Sequence, residues 1–385
     1  MLKAYLRTIV REARRMHGGY LASLTLLPML AFGLFAALFS KGEAERLPIA
    51  VLDDDHTLLS RRLTAVAGDV AELRYEVQSA DEGLALIRRG EVDALLCIPS
   101  AFERNLLGQH QTTVGIYNSG ANLSANGLIT RDLQSAITTF AVGAQLQRFE
   151  QQGLSRTEAL AMARPITFSQ HALFNPWLNY AYYLAPCFMA MMLMIFTVMS
   201  TSYAIGSELK GATAPSWLRV AGGSLTTAIA GKMTLITALL VLLAAAMFTT
   251  LFGIVDLPMR GSGALIAVAT ILFILSYEAV AIFIVAITAN LRLALSLGGG
   301  YSVLAFTFSG ITFPTMAMFP EIQWLTHLFP YTHYMQLLID QTLRGAPIEY
   351  SLEPLAAMLP FLLLPPLAAR RLRRVVENAK YWYRC

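Results

Sequence analysis

Long apolar runs alternate with polar segments along the chain, and the lengths of these runs predict membrane-spanning helices. A helix needs roughly 20 mainly apolar residues to cross the hydrocarbon core of a bilayer. Six runs meet this requirement within tolerance, at 20–39, 181–203, 226–252, 264–289, 293–313 and 352–369. The pattern therefore predicts a polytopic α-helical membrane protein with six transmembrane helices, the first of them within 20–40.

The polar segment 41–175, between the first and second runs, has the pattern of a folded domain. Short apolar or β-branched stretches predict strands, and they are LPIAVLDDD (47–55), LRYEV (73–77), VDALLCIP (92–99) and TTVGIY (112–117). Three serines precede a glutamate at capping-box spacing, as Ser79/Glu82, Ser100/Glu103 and Ser155/Glu158. A long helix is predicted over 125–150. The alternation predicts an α/β domain with a small mixed sheet.

Residues 1–18 predict an amphipathic helix before the first run, because apolar positions recur at helical spacing while Lys and Arg lie on other faces. Such a helix lies at a membrane interface, and its candidate residues are Tyr5, Arg7 and Arg11. Two interpretations remain open, a topology anchor on anionic lipid and a docking surface for a partner. The first run is interpreted as a signal anchor, since it exceeds the roughly 7–15 apolar residues of a cleaved signal.

Composition and charge placement support the membrane assignment. The chain of 385 residues is 56% hydrophobic and only 14% charged, whereas about a quarter of the residues in soluble domains are charged. Lys and Arg cluster before the first run, between the second and third, and in the basic tail 371–385. By the positive-inside rule, both termini are predicted to be cytoplasmic and segment 41–175 extracytoplasmic.

No stretch of the sequence carries the signature of a catalytic centre. The nearest approach to a phosphate-binding loop is TTAIAGKM (226–233), where Thr226 replaces the first glycine and Met233 replaces the Mg²⁺-binding hydroxyl. The loop also enters an apolar run. We therefore predict a chain that is not an enzyme, with no catalytic residue and no cofactor of its own.

The candidate metal ligands in the sequence are better interpreted as structural residues than as a metal site. The run Asp53–Asp55 is interpreted as a solvated turn in which Asp55 caps a helix, rather than as a cation site. His110 and His171 are isolated in the sequence, and the three cysteines have neither disulfide nor metal spacing. No metal site is predicted.

Glu278 lies in the middle of the fourth apolar run. A charged side chain at that depth costs at least about 2.5 kcal/mol, so it usually faces a partner or water. Three interpretations remain open: a protonated, hydrogen-bonded structural group, a residue on the substrate path that attracts cations, and a proton relay.

Two long segments resemble ABC type-2 transporter permeases. FNPWLNYAYYLAPCFMAMMLMIFTVMSTSYAIGSELKGATAPSWLRVAGGS…GK resembles the second span and following cytoplasmic loop of that family. SGITFPTMAMFPEIQWLTHLFPYTHYMQLLIDQTLRG (309–345) resembles the stretch after its fifth span. The order of elements also matches: an amphipathic helix, one span, a large extracytoplasmic domain and five further spans within 176–370.

The resemblance implies that the loop 204–225 contacts a separate ATP-binding subunit, which would hold ATP and Mg²⁺. Carried over from the family, Glu208 takes the position of an acidic residue and Gly211 that of a glycine. The candidate ATPase-coupling residues are Glu208, Leu209, Lys210, Gly211 and Thr213. The sequence departs from the family pattern because Ala212 separates Gly211 from Thr213. A short charged helix between two spans would also act physically as a lever on both spans.

The segment 310–345 is interrupted by glycine and proline but stays rich in aromatic residues. Irregular backbone at membrane depth persists only where it is buried in protein or lines a cavity, so re-entrant helices are predicted. An interfacial aromatic belt is the alternative. The candidate outer-gate residues are Gly310, Phe313, Pro314, Pro320 and Pro330.

The resemblance implies the permease subunit of an ATP-driven exporter in a bacterial inner membrane, with a drug-like or lipid-like cargo. The expected partners are ABC ATPase subunits, a second copy or related permease, a periplasmic adaptor and the lipid bilayer, with no nucleic acid. Two alternatives remain. One is a proton-coupled secondary transporter using Glu278, although no inverted repeat is evident. The other is a receptor or scaffold that does not transport.

Overall fold

A computed structural model of the chain describes residues 2–16, 18–40, 46–108, 110–163, 173–175 and 179–383. His171 and Cys385, two of the residues interpreted above, lie outside this described part. The chain divides into two units, one formed by Met1–Glu43 with Ala172–Cys385 and the other by Ala44–His171. Each unit has its own hydrophobic core.

Two helices begin the first unit. Helix α1 (Leu2–Arg15) is amphipathic: Thr8 and Glu12 are buried, whereas Leu2 and Leu6 are exposed. Helix α2 (Gly18–Leu38) is apolar around its circumference, as expected for a helix that meets lipid on several sides.

The second unit contains a four-stranded sheet. Its strands are β1 (Pro48–Asp53), β2 (Glu72–Val77), β3 (Ala94–Ile98) and β4 (Gly115–Asn118). Their order is β2-β1-β3-β4, with β1 parallel to both neighbours and β4 antiparallel to β3. All four strands overlap the segments that the sequence predicts.

Both faces of this sheet are covered, which explains why the central strands read as continuous apolar runs. The helices of the unit are α3 (Leu58–Val70), α4 (Ala80–Arg89), α5 (Phe102–Leu107), α6 (Leu123–Gln151) and α7 (Arg156–Ala163). Because side chains alternate along a strand, Ile49 and Val51 pack with residues of α3, α5 and α6, whereas Ala50 and Leu52 pack with Leu86 of α4.

In two of the three predicted capping boxes, the serine hydroxyl accepts the expected hydrogen bond. The backbone N–H of Glu82 donates to the Ser79 hydroxyl (3.3 Å), and that of Glu158 donates to the Ser155 hydroxyl (3.4 Å). The third is wrong: α5 begins after Ala101, which sits at φ 61° and offers no side-chain cap. Ser100 lies one residue too early to serve.

Asp55 caps α5 from a different loop. Its carboxylate accepts hydrogen bonds from the backbone N–H groups of Phe102 (3.0 Å) and Glu103 (2.9 Å). Asp55 therefore caps a helix as predicted, but the helix is α5, whereas Thr57 caps the helix α3 that follows the turn. Burial raises the pKa of Asp55, but hydrogen bonds from the Thr57 hydroxyl and these amides outweigh that effect and hold the pKa below its ordinary value of 3.8.

The remainder of the first unit is helical. Its helices are α8 (Tyr180–Lys210), α9 (Ala214–Val220), α10 (Leu225–Gly253), α11 (Gly263–Thr288), α12 (Leu291–Thr307), α13 (Pro320–Thr326), α14 (Pro330–Ile339), α15 (Ile348–Met358) and α16 (Leu364–Glu377). Short 3₁₀ helices occupy Thr315–Ala317, Leu359–Leu363 and Ala379–Tyr381, and a π-helical turn occupies Asp340–Arg344.

Five helical segments within the described residues are long and apolar enough to cross a membrane. They are Leu21–Leu38, Tyr180–Lys210, Leu225–Gly253, Gly263–Thr288 and Ile348–Glu377. The run predicted as a fifth span, 293–313, forms α12, which has 17 residues and is about 25 Å long at 1.5 Å per residue. It ends at Thr307, before Gly310, whose φ is 87°.

Helix boundaries differ from the predictions at one end of the bundle. Helix α8 continues to Lys210, so the predicted loop 204–225 contains the last helical turns of α8 and the whole of α9. Helix α16 likewise continues to Glu377, into the predicted basic tail 371–385. The chain then folds back, and the backbone N–H of Tyr383 donates to the carbonyl of Leu209 (3.2 Å).

Replacing Asp55 is expected to unfold the start of α5 selectively. Asp55→Ala removes both acceptors from the Phe102 and Glu103 amides, and loss of a helix cap costs about 0.5–2 kcal/mol. Hydrogen exchange should therefore become faster in peptides covering 102–107. Because the folded pKa of Asp55 is lowered, its contribution is complete above the ordinary pKa and is lost as the pH falls through the folded pKa.

Asp54→Ala provides the matched control, since Asp54 is exposed and adjacent. Equal exchange in both variants at pH 7 would contradict the capping role of Asp55.

Candidate functional site

Glu208 occupies the last turn of α8 and is fully buried. Arg11 of α1 donates to both of its carboxylate oxygens, at 2.8 and 2.9 Å. Arg15 of α1 and the Thr213 hydroxyl also donate to this carboxylate. The Lys232 ammonium of α10 lies 3.0 Å away. One carboxylate therefore joins α1, α8, α10 and the residue that precedes α9.

Lys232 extends these contacts. It is 1% exposed, and its Nζ lies 2.6 Å from the carboxylate of Glu12. The same Nζ lies 5.4 Å from the ring centroid of Trp217 in α9, within the range of a cation–π interaction. We name Arg11, Glu12, Arg15, Glu208 and Lys232 the ion cluster.

The ion cluster contains three cations and two anions, so it carries a net charge of +1. Buried charges persist when each is paired and hydrogen-bonded, whereas an unpaired buried charge is costly. The bidentate Arg11–Glu208 geometry also fixes direction as well as distance. The cluster consequently specifies how α1 and the ends of α8 and α10 are arranged relative to each other.

Close backbone packing brings α1 to the cluster. Gly231 of α10 faces α1, and a Cβ placed on it would lie 2.7 Å from the Thr8 Cβ and 3.2 Å from the Tyr5 carbonyl oxygen. The Tyr5 hydroxyl and Thr234 Oγ1 lie 2.7 Å apart. Tyr5, Thr8 and Glu12 fall on one face of α1 at helical spacing, which aligns Glu12 with Lys232.

The structure therefore brings together four of the sequence-predicted residues: Tyr5, Arg11, Glu208 and Thr213. Leu209 is buried, and Gly211 ends α8 with its N–H donating to the Ser207 carbonyl (2.9 Å).

Lys210 and Arg7 are exposed. The Glu208 carboxylate faces residues of this chain and not the surface. A contact of this carboxylate with a partner would require the cluster to open, and its coupling role stays a prediction.

Four contributors were missed from the sequence: Glu12, Arg15, Lys232 and Trp217. Two of them carry a recognisable signal. Glu12 is the only acidic residue among the first 40, and Lys232 is the only charged residue in the helix 225–253. A lone charge of this kind in an apolar or oppositely charged helix indicates a buried partner.

The segment 310–345 contains helices that begin at prolines. Pro320 and Pro330 are the first residues of α13 and α14, and Pro314 precedes the 3₁₀ helix Thr315–Ala317. This position suits proline because the first N–H of a helix needs no intrahelical partner. Gly310 adopts a left-handed conformation, and Phe313 is exposed. The glycine and the three prolines mark chain breaks, and among the described contacts no backbone hydrogen bond joins any two of the five residues.

Tyrosine hydroxyls and amides anchor this segment to the bundle. The Tyr331 hydroxyl donates to the Cys187 carbonyl of α8 (2.7 Å), and the Tyr331 N–H donates to the Tyr277 hydroxyl of α11 (3.2 Å). The Tyr301 hydroxyl of α12 donates to the Leu328 carbonyl (2.7 Å). Helix α14 is largely buried as a result, as irregular backbone inside a membrane protein requires.

Gln341 secures the other end of α14. It is fully buried in the π-helical turn, and its side-chain oxygen accepts from the Ser262 N–H at the start of α11 (2.8 Å). Its side-chain amide donates to the Ala346 carbonyl (3.0 Å) and the Ser351 hydroxyl (2.8 Å). This single side chain joins α11, the π-helical turn and α15.

Glu278 is buried in α11, and the Thr237 hydroxyl of α10 lies 2.8 and 2.9 Å from its two carboxyl oxygens. The same hydroxyl donates to the Met233 carbonyl (2.9 Å). The pair links α10 to α11 inside the bundle. All three interpretations of Glu278 stay open on this geometry.

The described helices define a polytopic membrane protein with a second unit inserted after its first span. The sequence pattern of the family described as ABC-2 family transporter protein matches residues 19–369, and the chain belongs to this family. Its predicted resemblance to ABC type-2 permeases is confirmed. Such permeases are the transmembrane component of a transporter and are not themselves catalytic. A search of curated proteins found none that matches the chain.

Lys232→Met is expected to destabilise the protein strongly, because it leaves Glu12 without its buried counter-charge. Removing one partner of a buried ion pair costs about 3–5 kcal/mol. The midpoint of thermal unfolding in detergent should fall accordingly. Adding Glu12→Gln should recover part of the loss, since the unpaired charge is then removed.

Lys210→Met is the control for this prediction, because Lys210 is exposed and only 22 positions away. A midpoint equally low in both single variants, or no recovery in the double variant, would contradict the pairing.

Proposed function

We propose that this chain is the permease subunit of an ATP-driven exporter, powered by ATPase subunits encoded separately. The observation that carries the proposal is the ion cluster. It ties the amphipathic helix α1 and the short helix α9 to the ends of two long apolar helices, α8 and α10. A force applied to α1 or α9 would therefore be transmitted to both apolar helices together.

The proposed topology has six spans, with α12 as the fifth. At about 25 Å, α12 is short for a hydrocarbon core of about 30 Å, and local thinning or adjacent apolar residues accommodate a mismatch of this size. Lys and Arg near α1, α9 and α16 support a cytoplasmic position for these helices, and the proposed membrane is the bacterial inner membrane. The second unit then lies in the periplasm.

The proposed ATPase contact consists of exposed residues around the ion cluster rather than the cluster itself. Lys210, Ser216 and Arg219 are exposed at the end of α8 and on α9, and Arg7 is exposed on α1. The partner would bind ATP and Mg²⁺. Closure of the partner would move α9 and α1. Through Glu208 and Lys232, this movement would also shift the apolar helices α8 and α10.

The family and the composition of the chain support the proposed oligomer, cargo and adaptor. Two copies of this chain, or one copy with a related permease, would form the pathway. An amphipathic or hydrophobic cargo, drug-like or lipid-like, would move outward, since apolar helices and flexible Met side chains suit varied apolar shapes. A periplasmic adaptor would receive it at the second unit.

Two alternatives have weaker support. A proton-coupled secondary transporter would use Glu278, whose contact with Thr237 is compatible with a bound proton. A receptor or scaffold would use the second unit for sensing. Neither explains why a buried ion cluster joins α1 and α9 to two long apolar helices.

Photo-crosslinking from position 210 tests the proposal directly. A photoreactive amino acid replaces Lys210, and the protein is crosslinked in its native membrane. The expected product is a covalent complex with a subunit that contains a phosphate-binding loop, because Lys210 is exposed at the end of α8, within the proposed contact surface. The same probe at Met316, which is 93% exposed on the segment 310–345, should not capture that subunit.

Two outcomes would oppose the proposal. One is saturating crosslinking at 210 with no ATPase captured. The other is transport by the purified chain in vesicles driven by a proton gradient alone, which would favour the secondary-transporter alternative.

Gly231→Ala is expected to lower the amount of cargo transported per ATP hydrolysed. The added methyl group would collide with Thr8, and overpacking of this kind costs about 1–3 kcal/mol, so α1 would be displaced from α10. Transport and ATP hydrolysis are measured together in the reconstituted complex. Gly300→Ala is the control, since a Cβ at Gly300 meets no atom within 4 Å. An unchanged ratio in Gly231→Ala would show that the position of α1 does not matter for coupling.

A further inference from the structure

A pocket of about 520 Å³ lies on the first unit, away from the ion cluster. It is bounded by α11, α12, the turn between α13 and α14, and the helices α15 and α16 with the 3₁₀ helix between them. Its lining residues are mainly apolar, and those used below are Val280, Ile284, Tyr301, His327, Ala357 and Phe361. No Asp, Glu, Lys or Arg is among the described residues that line it.

Hydrogen bonds fix the depth of this pocket. Tyr277 is near the middle of the 26-residue helix α11, about 21 Å from its start at 1.5 Å per residue. The Tyr331 N–H donates to the Tyr277 hydroxyl, and the Tyr301 hydroxyl donates to the Leu328 carbonyl. The turn that contains His327 is thus held level with the middle of an apolar helix long enough to cross a membrane.

Tyr301 and His327 carry the polar side-chain groups of the pocket lining, and the Tyr301 hydroxyl already donates to the Leu328 carbonyl. The His327 ring meets the rings of Trp324 (6.3 Å between centroids) and His333 (5.5 Å). The His327 carbonyl oxygen lies 3.3 Å from His333 Nε2. Among the described residues, no side chain or backbone group forms a hydrogen bond with the His327 ring nitrogens. His327 is exposed and lines the pocket, so its imidazole is accessible to a polar group of a molecule bound there.

We propose that this pocket binds a single-chain amphiphile from the bilayer. The apolar chain would fill the space beside Val280, Ile284 and Phe361, and one hydroxyl or protonated carboxyl group would hydrogen-bond with the His327 imidazole. The volume falls within the roughly 300–1,000 Å³ of pockets for drug-sized ligands. A phosphate headgroup is excluded because the lining offers it no counter-charge, and burying it there would be costly. The inference concerns binding and does not depend on ATP-driven export.

Photolabelling with a 16-carbon fatty acid that carries a diazirine in its chain tests the inference. The full-length protein is labelled in phosphatidylcholine vesicles, and labelled peptides are identified by mass spectrometry. Labels are expected within 280–284 and 357–364. Unlabelled hexadecanoic acid and hexadecanol should compete, whereas methyl hexadecanoate should compete less because it has no hydrogen to donate.

Variants distinguish the contribution of the His327 hydrogen bond to binding from the contribution of the pocket shape. His327→Leu should weaken competition by hexadecanoic acid about fivefold to tenfold, the loss expected for one net hydrogen bond. His327→Gln retains a donor and an acceptor and should keep most of the affinity. His110→Leu, a histidine substitution in the second unit, is the matched control and should leave labelling unchanged. Ala357→Phe, which narrows the pocket, should reduce labelling at 280–284.

Three results would overturn the inference. The first is labelling that lies mainly outside the two peptides. The second is equal competition by the acid and its methyl ester, which would mean that the pocket takes up any acyl chain of the bilayer. The third is normal labelling in Ala357→Phe. Because His327 and Ala357 lie on different helical segments, failure of one variant to fold leaves the other as a test.

Discussion

The buried carboxylate of Glu208, which contacts the cations Arg11, Arg15 and Lys232, is the group on which one end of the bundle depends. In lipid, apolar helices gain little from hydrophobic association, so close packing and polar contacts between helices determine their arrangement. Glu208 and Lys232 provide the polar contacts, and Gly231 permits the close packing of α1 on α10. Without a correctly placed α1, two buried charges on α8 and α10 would lose partners. The amphipathic helix is therefore part of the folded bundle as well as an interface element.

Polar contacts organise the segment 310–345 by a different chemistry. There, hydroxyl groups of Tyr301 and Tyr331 donate to backbone carbonyls, and Gln341 joins three segments. These neutral contacts hold irregular backbone inside the apolar bundle. Breaking these neutral contacts leaves no buried charge, whereas breaking the ion cluster leaves a buried charge without its partner.

Local patterns predicted most of the secondary structure, because apolar periodicity, strand alternation and capping residues act over a few positions. They failed where a distant residue decides the outcome. Ser100 has the correct spacing for a cap, yet Asp55, 47 positions before Phe102, takes that role. Arg11 lies 197 positions from Glu208, so no local pattern reveals their pairing. The family resemblance located Glu208, but only the packing of α1 shows that its carboxylate is buried.

The distribution of the ion cluster along the chain has a consequence for protein engineering and for recombination between relatives. Every member of the cluster lies in the first unit, on α1, α8 or α10, and none lies in 46–163 of the second unit. A hybrid that exchanges the second unit keeps all five charges matched. A hybrid that exchanges α1 alone brings in charges that match the α8 and α10 of a different protein. Successful chimaeras should therefore inherit α1 together with the helices it meets, as one set.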